Sequence, residues 1–167
     1  MFVDPSPLIY LAKIDALDVF EASGHTPLIT PQVERETARS GLAYEHPDSL
    51  VIAQALRSGL LRRTDPSAKE IESARRLMGD AGGIGTGEAE VLAAAAERSL
   101  PVLVSERRAS RLAQALGIES RTPIDLLFAG TREREQLRER IRRYADLVQL
   151  RIADLDHLTK LIEARTP

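Results

Sequence analysis

Cysteine is absent from this chain, which excludes disulfides and thiolate-held metals and fits a reducing compartment. No apolar run reaches the roughly eighteen residues needed to span a bilayer. The N-terminus also lacks the basic run, apolar core and cleavage site of a secretion signal. The expectation is a cytoplasmic protein that does not engage membranes. An excess of basic charge is missing too: 23 Lys and Arg face 25 Asp and Glu, for a formal net charge of -2. A nucleic-acid ligand would therefore need a local patch rather than whole-molecule attraction. The 3 histidines, His25, His46 and His157, are scattered without ligand spacing and take no role. Neither an internal repeat nor a low-complexity linker divides the chain. Its 167 residues, 43% hydrophobic and 29% charged, fit one ordinary globular domain with a sizeable core.

The chain is organised around Met1 to Ile14. Phe2 and Val3 read as a short buried strand and Asp4-Pro5-Ser6-Pro7 as a turn. Leu8, Ile9, Leu11, Ala12 and Ile14 then recur at helical spacing, predicting a helix from about Pro7 to Ala22. Pro27 to Thr30 reads as a second strand, and Thr30-Pro31 starts a helix bearing Val33, Glu34 and Glu36. Gly41 and the His46-Pro47-Asp48 segment interrupt it. Ser49 caps a further helix towards Gly59, and Leu60 to Thr64 reads as an edge strand. Ser67 to Met78 is amphipathic, with Ala68, Ile71, Ala74 and Leu77 on one side. The glycine-rich stretch from Gly79 to Gly87 empties into a helix opening Glu88-Ala89-Glu90-Val91-Leu92. Leu100 to Val104 reads as a buried strand, Ser105 to Leu116 as a helix, and Ile118 leads into a further short strand. Thr122 and Asp125 have the spacing of a capping box. From Thr131 onward the chain reads as charged helix with a stripe of Leu137, Ile141, Tyr144 and Val148, followed by a helix near Leu155 to Ala164. Strands alternating with helices predict an α/β protein whose parallel sheet is covered on both faces.

Asp4 stands where the first strand ends, the position that faces the ligand crevice of an open α/β sheet. It is equally a candidate helix cap, although Ser6 before Pro7 offers another. Glu36 lies one turn into its helix, with Glu34 pointing elsewhere. Glu88 and Glu90 occupy a first helical turn, where the dipole alone explains a carboxylate. The glycines before them permit close backbone approach, but they lack the Gly-Lys-Ser/Thr ending of a phosphate loop and do not follow a strand. Ser105 and Glu106 follow the buried strand, either as a cap and solvated turn or as crevice residues. Arg107, Arg108 and Arg111 flank that place and are phosphate candidates. The arginines from Arg132 to Arg143 alternate with glutamates and read as a salt-bridged solvent face.

In their ordered combination these segments resemble a PIN domain, the nuclease fold of VapC-type toxins and related prokaryotic proteins. VDPSPLIYLAKIDAL is similar to that family's first strand and helix, with its Asp-x-Ser-x-Leu-Ile pattern. LITPQVERE, GTGEAEVLAAAAE, VLVSERRASRLAQALGI and RTPIDLL resemble its later segments in order. The resemblance implies a three-layer α/β/α sandwich with a central, mostly parallel sheet over residues 1–130, and a C-terminal helical extension over residues 131–167 packed on the same domain. It implies Asp4, Glu36 and Glu88 as metal-binding catalytic acids, with Ser6 as polar support. At the fourth region the family usually carries aspartate, often Asp-Asp before two arginines. Here that place reads Ser105-Glu106, so Glu106 stands in as the fourth ligand beside Ser105.

The implied activity is Mg²⁺- or Mn²⁺-dependent hydrolysis of RNA phosphodiester bonds, because oxygen-only ligands favour those ions. Arg107, Arg108 and Arg111 would hold substrate phosphate. An antitoxin protein and a homodimer are the implied partners besides RNA, and the helices after Thr131 could serve either dimer formation or partner binding. The alternative is a catalytically impaired PIN-like module that binds RNA or a protein, motivated by Ser105 and the near-neutral charge. A phosphatase or dinucleotide-binding protein is disfavoured, since there is no Asp-x-Asp after the first strand and no strand-linked glycine fingerprint.

Overall fold

The computed structural model describes residues 1–38, 46–80 and 84–165, with Asp80 described by its backbone alone. Gly41, read above as an interruption, and Gly82 and Gly83 of the glycine-rich stretch lie outside that set. The strands are β1 (Phe2–Val3), β2 (Leu28–Ile29), β3 (Arg62–Arg63), β4 (Val102–Leu103) and β5 (Ser120–Arg121). All pair in parallel in the order β3-β2-β1-β4-β5. Parallel neighbours require crossovers, and helices supply them. They are α1 (Pro5–Lys13), α2 (Val19–Ala22), α3 (Pro31–Thr37), α4 (Pro47–Ser58), α5 (Ala68–Asp80), α6 (Thr86–Arg98), α7 (Arg107–Ala115), α8 (Pro123–Gly130), α9 (Arg134–Val148) and α10 (Ile152–Ala164). The result is the three-layer α/β/α sandwich, and β1 is its centre. Phe2 and Val3 are fully buried because both neighbours and both faces cover them.

The helices pack by apolar faces. α1 meets α3, α4, α8 and α9, whereas α6 lies on β1 and β4 and pairs with α5 and α3. Leu137, Ile141 and Tyr144 of α9 are buried, with Tyr144 edge-on to Tyr10 at 6.1 Å between ring centres. At Gly130 a Cβ would stand 2.5 Å from the Val19 carbonyl oxygen, so α8 and α2 touch backbone to backbone. Thr122 and Asp125 form the capping box read from their spacing.

Several boundaries differ from the sequence reading, each for a physical reason. The opening helix stops at Lys13 rather than Ala22: Asp15 is left-handed, at φ 53°. Ile14, Ala16, Leu17, Val19 and Phe20 are all buried, too continuous a set for one face of a straight helix. The fourth helix starts at Pro47, with His46 in the capping position, which leaves Ser49 buried inside the first turn. Proline without an N–H is suited to that first position. Ile71, placed on the apolar side of its helix, is 38% exposed, while Glu70 beside it is buried. Arg140 does not belong to the solvent face. It is buried and donates two bonds to Asp18, at 2.7 and 2.8 Å, and one to Thr131 Oγ1 at 3.0 Å. Its neighbours Arg138 and Arg143 do form exposed pairs, with Glu135 and Glu139. Among the described residues no helix is long and apolar enough to cross a membrane.

Candidate active site

Sheet order reverses direction at β1, whose neighbours are β2 on one side and β4 on the other. A crevice opens beyond the strand ends at such a point. Asp4 enters it directly from β1, anchored by its N–H donating to the Leu103 carbonyl at 3.1 Å. It occupies the capping position of α1 but makes no side-chain cap bond. The sequence explains why. Pro5 and Pro7 have no N–H, so two of the first three donors that a cap could satisfy are missing. Only the Ser6 N–H still faces the carboxylate, without closing a cap bond. Asp4 is thus a buried carboxylate, 7% exposed, left available.

The other acids arrive on separate crossovers. β2 runs into Thr30, whose Oγ1 accepts from the Val33 N–H at 3.3 Å and starts α3; Glu36 lies near that helix's end. Gln32, one turn earlier, donates to Glu36 Oε1 at 2.7 Å. Glu88 is in the first turn of α6, facing the Gly85 N–H. Glu106 follows β4 as the capping residue of α7 and makes no cap bond. These four carboxylates, with Pro5, Ser6 and Ala109, line one cleft of about 270 Å³. A wider hollow of about 490 Å³ lies around His25, Thr26 and Gly59, but it gathers no comparable chemistry.

Gly87 shapes the cleft. A Cβ there would come within 2.7 Å of Glu36 Oε2 and 3.0 Å of the Pro5 ring. The glycine lets α3 lay its carboxylate against the backbone of α6. This is the close approach that the glycine-rich lead-in suggests.

Electrostatics follow from the crowding. Burial pushes the Asp4 carboxyl up to about 7, and the charges of Glu88, Glu36 and Glu106 push in the same direction, opposed by the Ser6 N–H. Glu88 is also raised, by burial and then by Glu106, with the Gly85 N–H and Arg108 opposing. Bringing such groups together costs roughly 4 kcal/mol per pair at 4 Å and an effective dielectric near 20. A proton or a cation relieves that cost. The acids could hold a hard cation through oxygen alone, since neither imidazole nor sulfur lines the cleft. Among the described residues no three acids or histidines are gathered into a ready-made metal cage.

The remaining candidates separate. Glu34 turns away to Arg63, 3.4 Å from its Nε. Glu90 and Ser105 are absent from the cleft lining; each buries a side-chain oxygen that has no hydrogen-bond partner among the described residues. Arg107, Arg108 and Arg111 are exposed on α7 and are absent from the cleft lining. Arg108 is close enough to influence Glu88, and Arg107 influences Asp154 at the start of α10. The sequence reading missed Gln32. Its separation of four residues from Glu36 on one helix was the available signal.

A family model described as a PIN domain matches residues 1–153. No curated protein matches the chain.

Proposed function

We propose that this chain, which belongs to the PIN-domain family, is a divalent-metal-dependent ribonuclease whose active site is the acidic cleft. The nuclease-type fold supplies the frame. The observation that carries the reading is Asp4, buried at the reversal point of the sheet and raised to about 7 by burial and three further carboxylates. A carboxylate so buried, with three further acids around it and no cation among the described residues to match it, is placed to receive a charge of opposite sign.

Asp4, Glu36, Glu88 and Glu106 fit Mg²⁺ or Mn²⁺ by donor type, and Glu106 takes the part of the aspartate replaced by Ser105. Bound there, such an ion would neutralise phosphate charge and acidify an attacking water. Asp4 must be ionised to act, so the cleft works best above the pH at which it holds its proton. Glu36 on α3 and Glu88 on α6, two helices packed against each other, would complete the ion's oxygen shell or orient the attacking water. Arg107, Arg108 and Arg111 hold the backbone phosphates on either side of the cut. Ser6 supports Asp4 through its backbone N–H. An inhibiting antitoxin and a dimer through the helices after Thr131 belong to the same proposal.

Cleavage of a mixed single-stranded RNA pool with Mg²⁺ or Mn²⁺ tests this reading. Wild type should cut only with metal, and Asp4→Asn should be inactive. Equal cutting by both proteins sinks the mechanism. A second reading, a catalytically impaired module that binds RNA or a protein, draws on Ser105 at the fourth region and on the fact that no three acids or histidines among the described residues form a ready metal cage. It expects millimolar Mn²⁺ to leave the melting temperature unchanged, whereas the nuclease reading expects a rise.

A further inference from the structure

The Glu36 carboxylate ends a chain of side-chain hydrogen bonds. Arg35 donates to Gln32 Oε1 from Nε, at 3.1 Å, and from Nη2. The Gln32 amide nitrogen donates to Glu36 Oε1 at 2.7 Å. Shape alone does not distinguish the two ends of a glutamine amide, but chemistry does here. A guanidinium has no acceptor, so it must meet the carbonyl oxygen. The NH₂ end is then forced towards Glu36. Meanwhile Glu36 Oε2 lies over Gly87, where no Cβ intervenes.

We propose that Gln32, its amide oriented by Arg35, is a positioning residue that presets Glu36 over Gly87 for cation binding; this rests on the metal-site reading above. Glu36 is exposed and shares the cleft with three like charges, so an untethered carboxylate would swing towards solvent. A neutral amide holds one oxygen without contributing a cation of its own, and the second oxygen stays directed at the α6 side. A direct arginine contact would instead compete with a metal for the same charge. Ligands held by outer partners in this way lose about ten- to a hundredfold in metal affinity when the partner is removed.

The molecule provides its own control. On α4, Arg57 donates to Gln54 Oε1 at 3.3 and 2.8 Å, the same Gln-x-x-Arg pair away from the cleft. Mn²⁺ binding to the full chain is measured by titration calorimetry, with the metal-free melting temperature alongside. Gln32→Met should weaken binding about ten- to a hundredfold, while its metal-free melting temperature stays within about 2 °C. Arg35→Lys, which still donates to the amide oxygen, should retain most of the affinity, and Gln54→Met should match wild type. If Gln32→Met binds as wild type while Asp4→Asn does not bind, the positioning role is overturned and the metal site survives. An equal loss in Gln54→Met overturns it as a general helix effect. If Asp4→Asn binds as wild type, or wild type does not bind, the site reading fails and the inference goes with it.

Discussion

Two of the buried carboxylates in this molecule, Glu70 and Asp4, are treated in opposite ways. Glu70 is 3% exposed and Asp4 7%. Glu70 is matched at once: Arg98 donates to it at 2.6 and 2.8 Å, and the Ser67 N–H adds a bond at 2.7 Å. Those hydrogen bonds, Arg98 first, hold its carboxyl below the usual range despite burial. The same guanidinium reaches Thr64 and the Asp65 carbonyl and lies 5.4 Å from the centre of the Phe2 ring. One acid therefore ties α5, α6, β1 and the β3–α5 loop together. Asp4 instead has no cation among the described residues to match it: burial first, and then the charges of Glu88, Glu36 and Glu106, drive it up to about 7 against the Ser6 N–H. A buried carboxylate supplied with its counter-charge serves the fold. One supplied with its own kind serves whatever arrives later.

The widest break in this comparison is by pH in the absence of metal. Asp4 binds its proton more tightly folded than unfolded, so its contribution is fully present below its ordinary value of 3.8 and is lost as pH rises through about 7. The loss amounts to about 4 kcal/mol. Urea midpoints with chelator should fall between pH 4 and pH 8 for wild type, fall less for Asp4→Asn, in which Glu88 is still raised by burial, and recover for wild type when Mn²⁺ is added at pH 8. A flat wild-type profile means that the acids are not crowded in solution. Glu70 has the opposite sign: its folded value is lowered, so its contribution is present at neutral pH and lost on acidification below the normal carboxylate range.

A smaller effect comes from removing the counter-charge. Arg98→Met should cost roughly 2 to 3 kcal/mol in chemical denaturation, because it strands Glu70 without its main donors, and should leave Mn²⁺ affinity alone. Loss of metal binding without loss of stability would erase the distinction between the two regions. Smallest for the fold is Gly87→Ala. The helix gains up to about 1 kcal/mol, offset by contact with Pro5, so the melting temperature hardly moves. The flexible Glu36 carboxylate must swing aside, so Mn²⁺ affinity should drop about tenfold or more. Unchanged affinity would show that Glu36 is not needed in its present place.

The same contrast marks what could be read from the sequence. The strand-to-Asp4 junction was legible because Val-Asp-Pro-Ser-Pro carries its own logic: a short apolar run, a carboxylate, and prolines that remove the donors which would otherwise occupy it. Thr122 and Asp125 were legible for a similar local reason. Arg98 and Arg140 were not, since their partners lie 28 and 122 residues away and an arginine in a helix looks alike whether it meets solvent or a hidden aspartate. Asp15 gave no breaker signal, because aspartate adopts the left-handed turn without announcing it as glycine would. Glu36, Glu88 and Glu106 were individually ordinary helix-end charges. Only the reversal of strand order brings them to one place.

That reversal also dictates when the cleft can exist. Phe2 pairs with Leu28 on one side and Val102 on the other, so the first strand is completed only by a segment far along the chain. Until β4 and Glu106 have been synthesised, Asp4 has neither the wall that buries it nor its last acidic neighbour. The cleft is therefore a property of the completed sheet and of no single stretch of the chain, because the groups that bury and charge Asp4 come from segments far apart in sequence.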